Sequence, residues 1–143
     1  VGGGMIILPP DIRFALRTNN IARRAAQRDG RPEPDAVPVL KLFNPIGPAI
    51  WIATELGADD DALFGAADLG FECPELGYFS ASEIAAIRLP FGMRIERDTA
   101  FATRTPLSVW ADIARRLSSL REAEAAIART ERGTPDPRST GGG

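Results

Sequence analysis

Helical patterns flank a run of short strands in this chain. That arrangement predicts an α+β fold: a small antiparallel sheet of four or five strands packed by an N-terminal helix, a short middle helix and a C-terminal helix. Three observations carry the prediction. Three strand-like segments between Val37 and Phe71 are joined by turns too short for a crossover, so neighbours pair antiparallel. Ser80-Ala81-Ser82-Glu83 has the form of a capping box just ahead of a short apolar helix. From Leu107 to Ile127, apolar residues recur at spacings of three, four and seven, the stripe of an amphipathic helix.

The first helix opens on Pro9-Pro10, which start a helix but cannot continue one, and Asp11 suits the positive end of its dipole. Ile12 and Leu16 give it an apolar face, and Thr18–Asn20 predicts a break. Val37–Phe43 is apolar on both faces and reads as a buried strand, with Pro38 confined to its start. Ala49–Leu56 alternates, with Ile50, Ile52, Thr54 and Leu56 toward one face and Trp51 and Glu55 toward the other. Ala62–Phe71 is a third strand whose glycines mark a bulge. Pro74 and Gly77 bracket a turn or the start of a short strand, where Tyr78 and Phe79 face opposite ways. A helix over Ala81–Leu89 follows, with Phe79 and Ile84 as its hydrophobic staple. Pro90–Asp98 supplies a turn and a further strand. Thr105 as N-cap and Pro106 as first residue open a last helix over 106–131, its stripe interrupted by Glu124.

With 143 residues, 44% hydrophobic and 25% charged, the chain suits one domain that needs no covalent staple. The expected boundaries are a flexible extension over 1–4, one domain over 5–132 and a disordered tail over 133–143. No apolar run approaches the roughly 18 residues of a membrane span, and one cysteine excludes an internal disulfide, so a cytoplasmic location is expected. The absence of histidine excludes Ser-His-Asp and Cys-His catalysis and the usual Cys/His zinc sites. Any metal would need oxygen ligands. No cofactor is expected, since neither a phosphate-binding loop nor a dinucleotide fingerprint is present.

The net charge of −2 is unevenly spread: +4 over residues 1–31, −9 over 32–83 and +3 over 84–143. An acidic centre between basic flanks either complements itself in the fold or offers a face to a basic partner. Four groups of residues follow from this as candidates. Glu55, Glu72, Glu75 and Tyr78 are the residues for acid–base chemistry, should the sheet bring them together. Glu55, Asp61, Glu72 and Glu75 are the oxygen ligands a divalent ion would require, although Gly57–Gly65 lacks the spacing of a calcium loop. Arg13, Arg17, Arg23 and Arg24 of the first helix could contact phosphates, but no nucleic-acid-binding motif accompanies them. Leu120 and Ile127, on the thin distal stripe of the last helix, are candidates for a partner helix. Ser80 and Glu83 are read as a cap, and Cys73 as a thiol with no base to activate it.

The segments ILPPDIRFAL, VLKLFNP, WIATEL, LFGAADLGFECPELGYFSASEI and LPFGMRIERDTAF, in this order, resemble the bacterial family known as domain of unknown function 2958 over about residues 5–110. The resemblance implies a setting on plasmids and integrative conjugative elements, and no mechanism or catalytic residue. The leading expectation is a non-enzymatic accessory module that binds an unidentified protein, with the acidic centre as its surface. The alternatives are a carboxylate-dependent divalent-metal hydrolase or phosphodiesterase, and a nucleic-acid-binding accessory protein that uses the basic first helix. The sequence does not set the oligomeric state.

Overall fold

The computed structural model describes residues 8–133. Helix α1 (Pro10–Arg28) comes first, then strands β1 (Leu40–Phe43), β2 (Ile50–Leu56), β3 (Ala62–Asp68) and β4 (Glu75–Ser80). Helix α2 (Ala81–Ala85), a single 3₁₀ turn (Pro90–Gly92), strand β5 (Glu96–Arg97) and helices α3 (Leu107–Leu117) and α4 (Leu120–Gly133) complete it. The five strands form one sheet in the order β4-β3-β2-β1-β5, each neighbour antiparallel. No helix among the described residues is long and apolar enough to cross a membrane. The expected N-terminal extension, and the expected tail from residue 134 onward, lie outside the described residues.

Two cores sandwich the sheet. On one face Leu16 of α1 packs with Leu40, Leu42, Trp51, Ala53, Leu56 and Leu63, closed off by Ile84 and Ile95. On the other, Leu107, Trp110 and Ala114 of α3 and Leu120, Ala123 and Ile127 of α4 cover Ile50, Ile52 and Ala66. The central strand β2 is buried at all seven positions because both faces are covered.

The strand alternation expected for β2 fails at its end, and a bulge is the reason. The β2–β3 register shifts between Ala53 and Glu55, which returns Leu56 to the face of Trp51 and Ala53. Gly65 lies opposite Ala53, where a Cβ would sit 1.8 Å from the Ile52 carbonyl oxygen, so no other residue fits without moving a strand. The bulge expected in β3 is thus found in β2, opposite Gly65.

Four further expectations are corrected. Helix α1 runs unbroken through Thr18–Asn20, because the asparagines bond across to the bulge instead of to their own backbone. Asn19 Nδ2 donates to the Thr54 carbonyl at 2.9 Å and Asn20 Nδ2 to Glu55 Oε1 at 2.9 Å. Strand β3 stops at Asp68, whose Oδ1 accepts the Gly70 amide and turns the chain. Helix α2 ends at Ala85 and not Leu89: Ala86 is its C-cap, and Leu89, ahead of Pro90, is extended. The helix expected over 106–131 is two helices. Ser118 adopts a left-handed conformation (φ 55°) that ends α3, and the Ser119 hydroxyl accepts the Glu122 amide to start α4.

Long-range caps hold the elements together. Glu131 Oε2 accepts from the Thr103 and Thr105 hydroxyls and the Arg104 amide, so Thr105 does not cap α3 as expected. The first amides of α3 find Asp35 and the Ala36 carbonyl instead, through Ser108 and Leu107. Asp68 Oδ2 accepts the Leu120 amide at the start of α4. Glu124, which breaks the apolar stripe, pairs with Lys41, the one lysine in the chain, at 2.8 Å, with Asp98 at 3.4 Å on the same ammonium.

Candidate functional site

The sheet register separates the acidic candidates. Tyr78 pairs with Phe64, which pairs with Glu55; Glu75 pairs with Ala67, further along; and Ser80 pairs with Ala62, beside Asp61. Glu75 and Ser80 are five residues apart on one strand, roughly 16 Å at the ordinary strand rise. Glu72 is exposed in the loop before β4, in a left-handed conformation (φ 63°). The four carboxylates therefore occupy three separate places, and among the described residues no group of three Asp, Glu or Cys is arranged to hold a metal ion.

Glu55 is a structural anion. It is 4% exposed and takes the Arg23 Nε at 2.7 Å besides Asn20. Arg23 reaches on to the Tyr78 hydroxyl at 3.3 Å, and its pKa is raised, first by the bond to Glu55. Tyr78 is thus joined to Glu55 through an arginine, while its ring tilts against Phe64 at 5.0 Å between centroids. The cluster pins the C-terminal half of α1 to the end of β2 beside a cleft of about 200 Å³, with Glu55 buried and Tyr78 exposed.

Asp61 caps α2 from a distance. Its Oδ2 accepts the Ser80 hydroxyl at 2.6 Å and its Oδ1 the Ser82 amide at 2.8 Å. These bonds, the Ser80 hydroxyl foremost, hold its carboxyl below the ordinary range. The Ser80 oxygen in turn accepts the Glu83 amide at 3.1 Å, which is the serine half of the capping box, while Glu83 itself is exposed. The larger cleft beside it, about 290 Å³, is lined by Arg13, Asp60, Asp61 and Ser82 together with Leu8 and Leu56. Its charged groups are already spent on one another, Arg13 on Asp60 at 2.7 Å and Asp61 on the two serines.

Among the arginines of α1, Arg17 and Arg23 are half-buried, Arg13, Arg24 and Arg28 are exposed, and Arg13, Arg17 and Arg23 reach the acidic segment. Arg17 donates to the Leu56 carbonyl at 2.7 Å and to Asn20, Arg23 to Glu55 and Arg13 to Asp60. Arg24 is exposed. Leu120 and Ile127, expected as a partner stripe, are buried at 0% and 4% exposure in the second core, because α4 folds back against the sheet.

What remains open is the edge of the sheet at β4. From Gly57 to Ile87 the chain carries Asp59, Asp60, Asp61, Asp68, Glu72, Glu75 and Glu83 and no lysine or arginine. The β3–β4 hairpin also exposes Leu69, Phe71, Leu76 and Tyr78. Sequence reasoning placed Tyr78 and Phe79 on opposite faces, as found, with Phe79 in the first core. It missed Leu76 and Phe71. The signal was available in the alternation Leu76-x-Tyr78, ahead of a strand that the short segment disguised as a turn.

The backbone of β4 has a definite outward side. The Ala81 amide donates to the Asp61 carbonyl at 3.0 Å, so that pair exchanges ladder bonds. Alternation along the register makes Leu63–Phe79, Gly65–Gly77 and Ala67–Glu75 the bonded pairs, and Phe64–Tyr78 and Ala66–Leu76 the unbonded ones. The N–H and C=O groups of Leu76 and Tyr78 therefore point away from the sheet, and no described strand pairs with them. The opposite edge of the sheet, β5, is only two residues long.

Comparison with curated proteins and with solved structures finds no match. A family model does match, from residue 7 to residue 121, past the expected end near Trp110 and through α3 into the first turn of α4. On that match the chain belongs to the family described as protein of unknown function (DUF2958).

Proposed function

We propose that this chain is a non-enzymatic binding module whose acidic β3–β4–α2 edge takes a basic partner protein. Its setting is the one implied by the family resemblance, plasmids and integrative conjugative elements. The observation that supports this reading is the distribution of paired charge. The arginines of α1 neutralise Glu55 and Asp60, whereas Glu72, Glu75 and Glu83 stand exposed on a segment with no cation of its own. A surface of one sign steers and holds a partner of the other, and does so in a salt-dependent way.

The test is capture on immobilised protein from a bacterial lysate, with the wild type set beside a Glu72→Gln, Glu75→Gln, Glu83→Gln variant. The expected result is retention of basic proteins, identified by mass spectrometry, that is lost at about 0.5 M salt, where the Debye length falls to a few ångströms. The triple variant should lose the same proteins. Retention unchanged in that variant, or no retention at low salt, overturns the reading.

A further inference from the structure

We propose that the partner docks by strand addition: an extended segment of a basic protein pairs with β4 as a sixth strand. The inference rests on the acidic-edge reading above and adds its geometry. Three observations converge on it.

The first is the free ladder. β4 is a terminal strand of six residues, and the N–H and C=O groups of Leu76 and Tyr78 face outward. Folded proteins usually blunt such an edge with a short strand, a bulge, a proline or a lysine. β5, at the other end of the sheet, is blunted by its length; β4 carries none of these devices within Glu75–Ser80. The second is the apolar footing. Leu76 is 38% and Tyr78 64% exposed on the face that carries Phe64, so an added strand finds side chains to pack on beside its hydrogen bonds.

The third is charge, which selects the occupant. A second copy of this chain would bring an identical hairpin with Glu72 and Glu75 and no cation, so like charges would gather along the shared edge. A basic segment gains where a second copy loses. Residues opposite Leu76 and Tyr78 share their face and exchange backbone bonds with them, so these are apolar. The intervening residues share the face of Glu75, where a Cβ on Gly77 would meet nothing within 4 Å, so these are lysine or arginine. The recognised sequence alternates apolar and basic residues.

The probe is an acetylated octapeptide of alternating valine and lysine, added to the ¹⁵N-labelled full chain. Two controls accompany it: the same peptide N-methylated at its valines, and a peptide with glutamate in place of lysine. Binding of the first peptide is expected to slow amide exchange at Leu76 and Tyr78 by at least about tenfold, and to leave Gly77 and Phe79, already bonded to β3, unchanged. N-methylation is expected to weaken binding by about tenfold or more, the loss of two backbone hydrogen bonds. The glutamate peptide is expected not to bind. If the N-methylated peptide binds as well as its parent, strand addition is wrong and the basic-partner reading stands. If the lysine peptide binds no better than the glutamate peptide, both fall. A chain that sediments as a dimer, with Leu76 and Tyr78 protected before any peptide is added, makes a second copy the occupant and overturns the proposal.

Discussion

Replacing Glu55 by alanine measures how firmly the first helix is held to the sheet. Two partners lose their acceptor at once. Asn20 is 4% exposed, and its amide would be left unsatisfied at a cost of about 1–3 kcal/mol. Arg23 keeps 19% side-chain exposure, the Tyr78 hydroxyl at 3.3 Å and Glu33 at 4.0 Å, so it retains a route to solvent. Its share is then nearer 1 kcal/mol than the roughly 3–5 kcal/mol of a fully buried ion left alone. The expected loss is about 3 kcal/mol, or about 10 °C in Tm for a domain of this size. Urea unfolding followed by circular dichroism reads it, with an unchanged m-value as the check on two-state behaviour. Glu55→Gln keeps one acceptor, for Asn20, but loses the charge and turns an NH2 donor toward the Arg23 Nε–H, so its cost should fall between wild type and the alanine substitution. In the Glu55→Ala background, Arg23→Ala should cost less than it does alone. An alanine variant within about 0.5 kcal/mol of wild type refutes the reasoning, and so does a glutamine variant that costs as much as alanine.

Gly65→Ala should be among the most damaging single-methyl changes in the chain, since the new Cβ overlaps the Ile52 carbonyl. A loss of more than about 2 kcal/mol in urea unfolding is expected, and an unchanged midpoint would mean that the bulge yields. Burial raises the Glu131 carboxyl, but the Thr103 and Thr105 hydroxyls and the Arg104 amide outweigh it, so the net shift lies below the ordinary value of 4.5. A lowered carboxylate contributes stability that is present above 4.5 and lost as pH falls through its folded value. Glu131→Gln should therefore flatten the acid side of the stability curve below about pH 4.5, and a slope identical to wild type would contradict it. Ser118→Gly should stabilise by about 0.5–1 kcal/mol, since glycine carries no penalty at φ 55°. A lower Tm would show that the serine does more than turn the chain.

The parts of the fold governed by local pattern were legible. The meander followed from short turns between apolar runs, the start of α2 from Ser80 and Glu83, and the start of α1 from Pro9-Pro10. The early ends of β3 and α2 have local causes, whereas the unbroken α1 comes from partners distant in sequence. Thr18–Asn20 looks like a break because free asparagines bond their own backbone, and only the bulge 35 residues later offers a better acceptor. Leu120 and Ile127 looked available because nothing local says that α4 turns back, and the left-handed Ser118 carries no sequence signature as strong as glycine. Asp61 was set among possible metal ligands, yet it serves a helix that begins twenty residues on. The candidate site residues are divided by burial. Glu72, Glu75 and Tyr78 do lie on the exposed hairpin, whereas Glu55 went into the core once α1 supplied its cation.

A net charge of −2 conceals a local imbalance, and the fold explains why it survives. Helix α1 lies against the end of β2, close enough for Arg13, Arg17 and Arg23 to reach Asp60, the Leu56 carbonyl and Glu55. On the other side of the sheet, Lys41 is taken by Glu124 and Asp98. The sheet order leaves β4 at the margin, with β3 and β2 between it and β1, so Lys41 on β1 does not reach the β4 acids. Glu72 and Glu75 of the hairpin take part in none of the ion pairs among the described residues, since Arg13, Arg23 and Lys41 pair with other acids. The same topology leaves the Leu76 and Tyr78 backbone groups without a ladder partner. An open edge that carries Glu75, with Glu72 beside it and no cation on the hairpin, disfavours pairing with its own kind, which is one way an edge strand persists without a lysine or a proline to guard it.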